Sequence, residues 1–382
     1  MKIKRIFFGL CFAIAAAGLL GCSSSDSASK TPYSVISTFD KAMSSAGNNL
    51  QSSSGLTALR SRLGVRALSP ADFCDEHGQP LNMNNSDPEY PGRIFYCKVA
   101  KNSNSPDTIQ GAYSFIKQLS CALDQAGITF DGAEHSATVT VDNVCFSQQL
   151  LDKGEMPASM DITYTASQPA SFNSNFQTGI VLNVPNFGSF TMATSVNGNK
   201  VEFLGYEDQS VITPNKTGGY VGQFDADTGQ IRFEAMHDRY NCAGDGDCGW
   251  SRHDKIFLSC DSVDANGNCV GVKDVHGAAS SIYKTGTYGE IATISGSFGT
   301  GVKTRLYTDS TETFNTPGSF MEITNNLCFS ATSSTGGDCT GITGIELPSS
   351  EFHFTLFTGH TPVSTWYTTA GNQSFTSFSL ND

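Results

Sequence analysis

Hydrophobic positions change period along this chain. Between residues 33 and about 150 they fall at helical spacing. Val35, Ile36, Phe39 and Met43 recur three or four apart, with Gly47 as a stop. Leu56, Leu59 and Leu63 suggest a second, weaker helix after Ser54. The clearest helix is 106–126: Ser105 suits the N-cap, Pro106 the first helical position, and Gly127 ends it. Its stripe is Ile109, Ala112, Ile116, Leu119 and Leu123. Cys121 lies off that stripe and is placed to tie the helix to a neighbouring segment. Residues 75–92, with Gly78, Pro80 and Pro91, read as loop, and Arg93 to Val99 as a short strand.

From about residue 136 the period becomes two. Ala137 to Val141, Ile180 to Val184, Ser189 to Val196 and Lys200 to Tyr206 alternate, and Asn197-Gly198 is a hairpin turn because both residues tolerate positive φ. Tyr220 to Phe224 and Ile231 to Met236 flank a second turn at 225–229. Further strands are expected at 255–260, 289–297, 302–308, 318–324, 351–357, 363–368 and 373–380. The fold class is therefore mostly β with an N-terminal helical part. It is a large antiparallel sheet, either a sandwich or a curved half-barrel, packed with two or three helices. The expected division is a mixed part over 33–150 and a β domain over 151–382. Arg232, Glu234, Lys255 and Lys303 fall inside strands and leave no clear lipid-facing stripe, which argues against a membrane barrel.

The N-terminus adds an address. Lys2, Lys4 and Arg5 precede an uncharged apolar run from Phe7 to Leu20. That run falls short of the roughly 20 apolar residues needed to span a bilayer, and the layout is that of a secretory signal. It exits through Leu19-Leu20-Gly21-Cys22, which resembles the lipobox of bacterial lipoproteins. The resemblance covers residues 1–22. It implies removal of 1–21, acylation of Cys22 by palmitate-type chains, and a membrane partner reached through that lipid. Residues 22–32, rich in Ser and without a large apolar side chain, read as a flexible tether. Ser23, where an Asp would resemble an inner-membrane retention signal, leans the localisation toward the outer membrane of the cell envelope, with the periplasmic or surface face left open.

Charge narrows the partners. The chain carries 23 basic and 36 acidic residues, a formal charge of −13, and the signal would take three basic residues and no acidic one with it. Such a field repels nucleic acid. An envelope protein, a glycan or a small ligand remains open. Of twelve cysteines, Cys11 would leave with the signal and Cys22 would carry lipid. The remaining ten suggest five structural disulfides and an oxidising compartment, and no Cys-x-x-Cys spacing occurs. Cys242–Cys248, Cys260–Cys269 and Cys328–Cys339 are the expected local pairs. Cys74, Cys97, Cys121 and Cys145 should pair among themselves, in any of three ways.

Chemistry is sparse. Gly244-Asp245-Gly246-Asp247-Cys248-Gly249 matches Gly-x-Gly-x-x-Gly, but no helix pattern follows and two carboxylates would repel a pyrophosphate. The densest polar cluster flanks that loop. His237, Asp238, Arg239 and Tyr240 enter it; Trp250, Arg252, His253 and Asp254 leave it. If 230–239 and 250–260 pair, two imidazoles and two carboxylates could do acid–base work, as in an envelope hydrolase, or Arg239, Tyr240, Trp250 and Arg252 could grip a ligand. Cross-strand ion pairing without function is the simpler reading and is preferred. Asp225 and Asp227, and Asp264 with Asn266, are weak calcium candidates. The second segment lacks the loop glycine and has Val275 where a bidentate Glu belongs, so no cofactor is expected. The sequence thus favours a binding or structural module over an enzyme.

Overall fold

The computed structural model describes residues 31–52, 97, 109–152, 156–209, 211, 215–240, 250–283, 288–297, 301–309, 321–322, 327–330 and 333–337. Helix α1 (Pro32–Ser52) begins where Thr31 caps it, its Oγ1 accepting from the Ser34 N–H at 3.3 Å, with Pro32 in the first turn. Helix α2 (Ile109–Ala126) ends at Gly127, whose φ of 83° only glycine adopts readily. All five residues of its expected stripe are buried. A short α3 (Gln148–Asp152) follows. The expected helix at 56–63, the loop at 75–92 and the strands beyond 350 lie outside the described residues. Cys97, the one described residue of the expected strand 93–99, is instead helical and buried.

Eleven strands then pair antiparallel in strict chain order: β1 (Glu134–Thr140), β2 (Ser159–Ser167), β3 (Thr178–Val184), β4 (Gly188–Asn197), β5 (Lys200–Gln209), β6 (Asn215–Asp225), β7 (Gln230–Tyr240), β8 (Trp250–Val263), β9 (Cys269–Tyr283), β10 (Tyr288–Ser297) and β11 (Gly301–Asp309). Three short strands extend the far edge: β12 (Met321–Glu322) and β13 (Leu327–Ser330) pair with β11, and β14 (Ser333–Gly337) pairs with β13. The end strands β1 and β14 do not pair with each other, so the sheet is open. All fourteen strands belong to one sheet, so the sandwich alternative gives way to a single layer covered by helices among the described residues. Of the expected strand 318–324, the structure describes Met321–Glu322, and both are in a strand.

Alternation assigns the two faces. The inner face carries Phe190, Met192, Phe203, Tyr220, Phe224, Phe233, Ile256 and Leu258, all buried against α1 and α2 in one continuous core. Phe39 of α1 is its centre: its ring lies 5.0 Å from Phe203, 5.6 Å from Tyr113 and 6.0 Å from Phe233. Two strand glycines make room for these rings. A Cβ on Gly222 would stand 2.1 Å from the Phe203 ring, and one on Gly205 2.4 Å from the Tyr220 ring. The outer face of β3–β6 has its own smaller core, Ala193, Leu204 and Val221, covered by Ala170 and Phe176. Arg232, Glu234, Lys255 and Lys303 all sit on that outer face by register.

Two disulfides fasten the helices to their surroundings. Cys121–Cys145 ties α2 to the segment before α3, as its position off the stripe suggested. Cys260–Cys269 closes the β8–β9 hairpin, the pairing expected from sequence. That hairpin tip holds α1. The Cys269 N–H donates to Ser45 Oγ at 2.8 Å, its carbonyl accepts from Asn49, and the Asn266 carbonyl accepts from Lys41. Cys97 is also disulfide-bonded. Cys242, Cys248, Cys74 and Cys339 lie outside the described residues, and for Cys328 only the β13 backbone is described.

Candidate functional site

Strands β7 and β8 do pair, and their register decides which candidate side chains can meet. Ala235 faces Asp254, Met236 faces His253, His237 faces Arg252, Asp238 faces Ser251 and Arg239 faces Trp250. Cross-strand partners share a face and successive residues change face. His237, Arg239, Trp250, Arg252 and Asp254 therefore hold inner-face positions, while Asp238, Tyr240 and His253 hold outer-face positions. The two histidines are on opposite sides of the sheet, and so are the two aspartates and the aromatic pair. Adjacency in sequence had suggested one cluster, and period-two geometry divides it.

On the inner face His237 is 2% exposed and Asp254 fully buried. His237 joins a polar row that the sequence reading missed. Gly218 of β6 faces both Glu207 of β5 and His237 of β7. A Cβ at Gly218 would lie 2.9 Å from Glu207 Oε1 and equally 2.9 Å from His237 Nε2, so both side chains lean over the glycine. Lys216 Nζ stands 2.9 Å from Glu207 Oε1, and the Tyr220 ring packs 5.6 Å from the His237 ring. Glu207 is 1% exposed, so Lys216 supplies the charge its burial requires. The signal was in β5: Val201, Phe203 and Gly205 are inward positions, and Glu207 continues their series. An imidazole beside a carboxylate has the groups for acid–base chemistry. Their burial withholds them from a substrate in solvent.

A second polar row crosses the outer face in register: Glu202, Gln223, Arg232, Phe257, His276, Ser295 and Lys303. Neighbouring members of the row contact one another. Gln223 Nε2 donates to Glu202 Oε1 at 2.7 Å, the Arg232 guanidinium lies 5.4 Å over the Phe257 ring, and Ser295 Oγ is 2.9 Å from His276 Nδ1. Burial raises the Glu202 carboxyl above its ordinary pKa and lowers the His276 imidazole below its own.

The calcium candidates form two turns at the same end of the sheet. Asp225 Oδ1 accepts the N–H groups of Asp227 and Thr228, and its Oδ2 meets Lys200 Nζ at 3.2 Å. Asp227 Oδ1 accepts from Asn199 Nδ2. Asp264 binds the Asn266 and Asn268 N–H groups and the Asn268 amide. These are the bonds of Asx turns, and hydrogen bonding lowers the pKa of Asp264. Among the described residues no group of three or more metal-ligating side chains converges.

What these elements define is a single-sheet β protein with helices on one face and buried polar rows on both. No known protein family, curated protein or solved structure matches the chain.

Proposed function

We infer that this chain is a lipid-anchored protein of the bacterial envelope that binds or scaffolds rather than hydrolyses. The observation that carries the reading is the β7–β8 register: it puts His237 and His253 on opposite faces and leaves His237 buried. Of the His237, Asp238, His253 and Asp254 set, each face keeps one imidazole and one carboxylate position, too few for the two-histidine hydrolase that the sequence also allowed. The anchor rests on Cys22 and the lipobox before it. The Cys121–Cys145 and Cys260–Cys269 bonds fit an oxidising compartment. Two or three acyl chains at Cys22 would hold the protein far more firmly than one, at about 0.8 kcal/mol per buried CH2.

Fractionation tests the anchor: the natural chain pellets with membranes after a high-salt wash, and Cys22→Ser moves to the soluble fraction. A Cys22→Ser chain that still pellets would overturn it. Retention tests the binding role. The soluble chain begun at Thr31, immobilised and exposed to envelope extract, retains a specific glycan or protein unaltered. Recovery of cleaved material would favour the hydrolase.

A further inference from the structure

A separate cavity lies between the helices, away from both polar rows. Its volume is about 220 Å3, and it is bounded by α1, α2 and residues 144–147. Two links fix its outer wall against α2: the Cys121–Cys145 disulfide, and the Ser147 N–H donating to Gln118 Oε1 at 3.0 Å. The site is thus preformed, which lowers the ordering cost of binding.

Its lining has a definite chemistry. Asp40 and Lys117 are the charged members, and they pair with each other, so the cavity is neutral overall. Asp40 Oδ1 also accepts from Tyr113 Oη at 2.9 Å. Burial, and then that contact, push the Tyr113 hydroxyl well above its ordinary pKa, so it stays a donor. Each Asp40 oxygen keeps acceptor capacity, and the Lys117 ammonium keeps two donors. Gln118 uses its carbonyl on Ser147 and Gln110 uses its amide on Ser44. The Gln118 amide and the Gln110 carbonyl have no other hydrogen-bond partner among the described residues. The wall therefore offers both donors and acceptors, with Tyr33 and Phe146 adding ring surface.

We propose that this cavity binds a neutral, polyhydroxylated ligand the size of a monosaccharide. A hydroxyl donates and accepts at once, so a vicinal diol adds onto the intact Asp40–Lys117 pair. An anion would meet Asp40 and a cation Lys117 at close range. A zwitterion would have to break the pair. The volume is below the roughly 300–1,000 Å3 of sites for drug-sized ligands, which sets the size at one ring. The C–H faces of such a ring match the aromatic surface.

The test is saturation-transfer NMR on the full chain with glucose, galactose, N-acetylglucosamine, glucuronate, glucosamine and glycine. Transfer is expected to at least one neutral sugar and to none of the charged or zwitterionic probes. Ser114→Phe should weaken it at least tenfold, because the ring fills the cavity while Ser114 bonds only within its own helix. If that variant does not fold, Val144→Trp narrows the same cavity from a position that is 65% exposed. Asp40→Asn leaves Lys117 uncompensated and should shift preference to glucuronate. No transfer to any neutral sugar, transfer unchanged when the cavity is filled, or a preference for glycine would overturn the proposal. Those outcomes leave the anchor and its fractionation test untouched.

Discussion

Phe39→Ala probes the joint on which the fold turns. Phe39 is fully buried and its ring meets three others, Tyr113 of α2, Phe203 of β5 and Phe233 of β7, at centroid distances of 5.6, 5.0 and 6.0 Å. Truncation removes the ring from water-free surroundings and leaves a hole between two helices and two strands. Neighbouring rings are rigid and fill it poorly, so the loss should fall in the range of about 3–5 kcal/mol seen for buried Phe→Ala changes. At roughly 2–4 °C per kcal/mol for a domain of this size, the melting temperature should drop by about 6–20 °C. Urea unfolding followed by far-UV circular dichroism gives the free energy. Val144→Ala, at an exposed position, is the control and should stay within about 0.5 kcal/mol. A Phe39→Ala loss below about 1 kcal/mol would refute the claim that α1 and the sheet share one cooperative core.

Gly222→Ala should cost about 1–3 kcal/mol by overpacking, since its Cβ would sit 2.1 Å from the Phe203 ring; calorimetry showing no loss would mean the ring yields freely. Burial raises the folded-state pKa of Glu202, so its unfavourable ionisation costs stability as pH rises above the ordinary value of 4.5. Glu202→Gln, which keeps an acceptor for Gln223, should therefore stabilise at neutral pH and lose that advantage below 4.5; equal effects at both pH values in paired urea titrations would reject this. Of the two disulfides with both partners among the described residues, Cys121–Cys145 spans 24 residues and Cys260–Cys269 spans 9. By chain entropy their removal by paired Cys→Ser changes should cost about 3.5 and 2.7 kcal/mol. A larger loss at 260–269 in urea titrations would show that the α1 contacts to Cys269 outweigh loop length.

Much of the fold could be read from local pattern, because much of it is local. The α2 stripe and the turns after β4 and β6 are carried by residues adjacent in the chain, and Gly198 and Gly229 do take positive φ; the first turn sits one residue later than expected, at Gly198-Asn199, with Asn197 ending β4 opposite Lys200. Helix α1 runs past Gly47 to Ser52 because Ser45 and Asn49 bond to Cys269, a tertiary contact that overrides the glycine. Strand β9 escaped notice since Gly277, Ala278 and Ala279 are small on both faces, leaving no alternation to detect. The candidate site was harder. Whether His237 and His253 share a face depends on the parity of two strands, which the chain states only once paired. The row of Lys216, Glu207 and His237 joins three strands over Gly218, where the missing side chain lets Glu207 and His237 lean in, a geometry with no sequence signature beyond a charge at an inward position.

The most direct test of the central claim is turnover. The purified chain and His237→Ala are incubated with peptidoglycan fragments and envelope polypeptides, and products are followed by mass spectrometry. With His237 buried and His253 across the sheet, the account predicts no conversion above buffer by either protein. Conversion by the natural chain that disappears in a folded His237→Ala variant would contradict it.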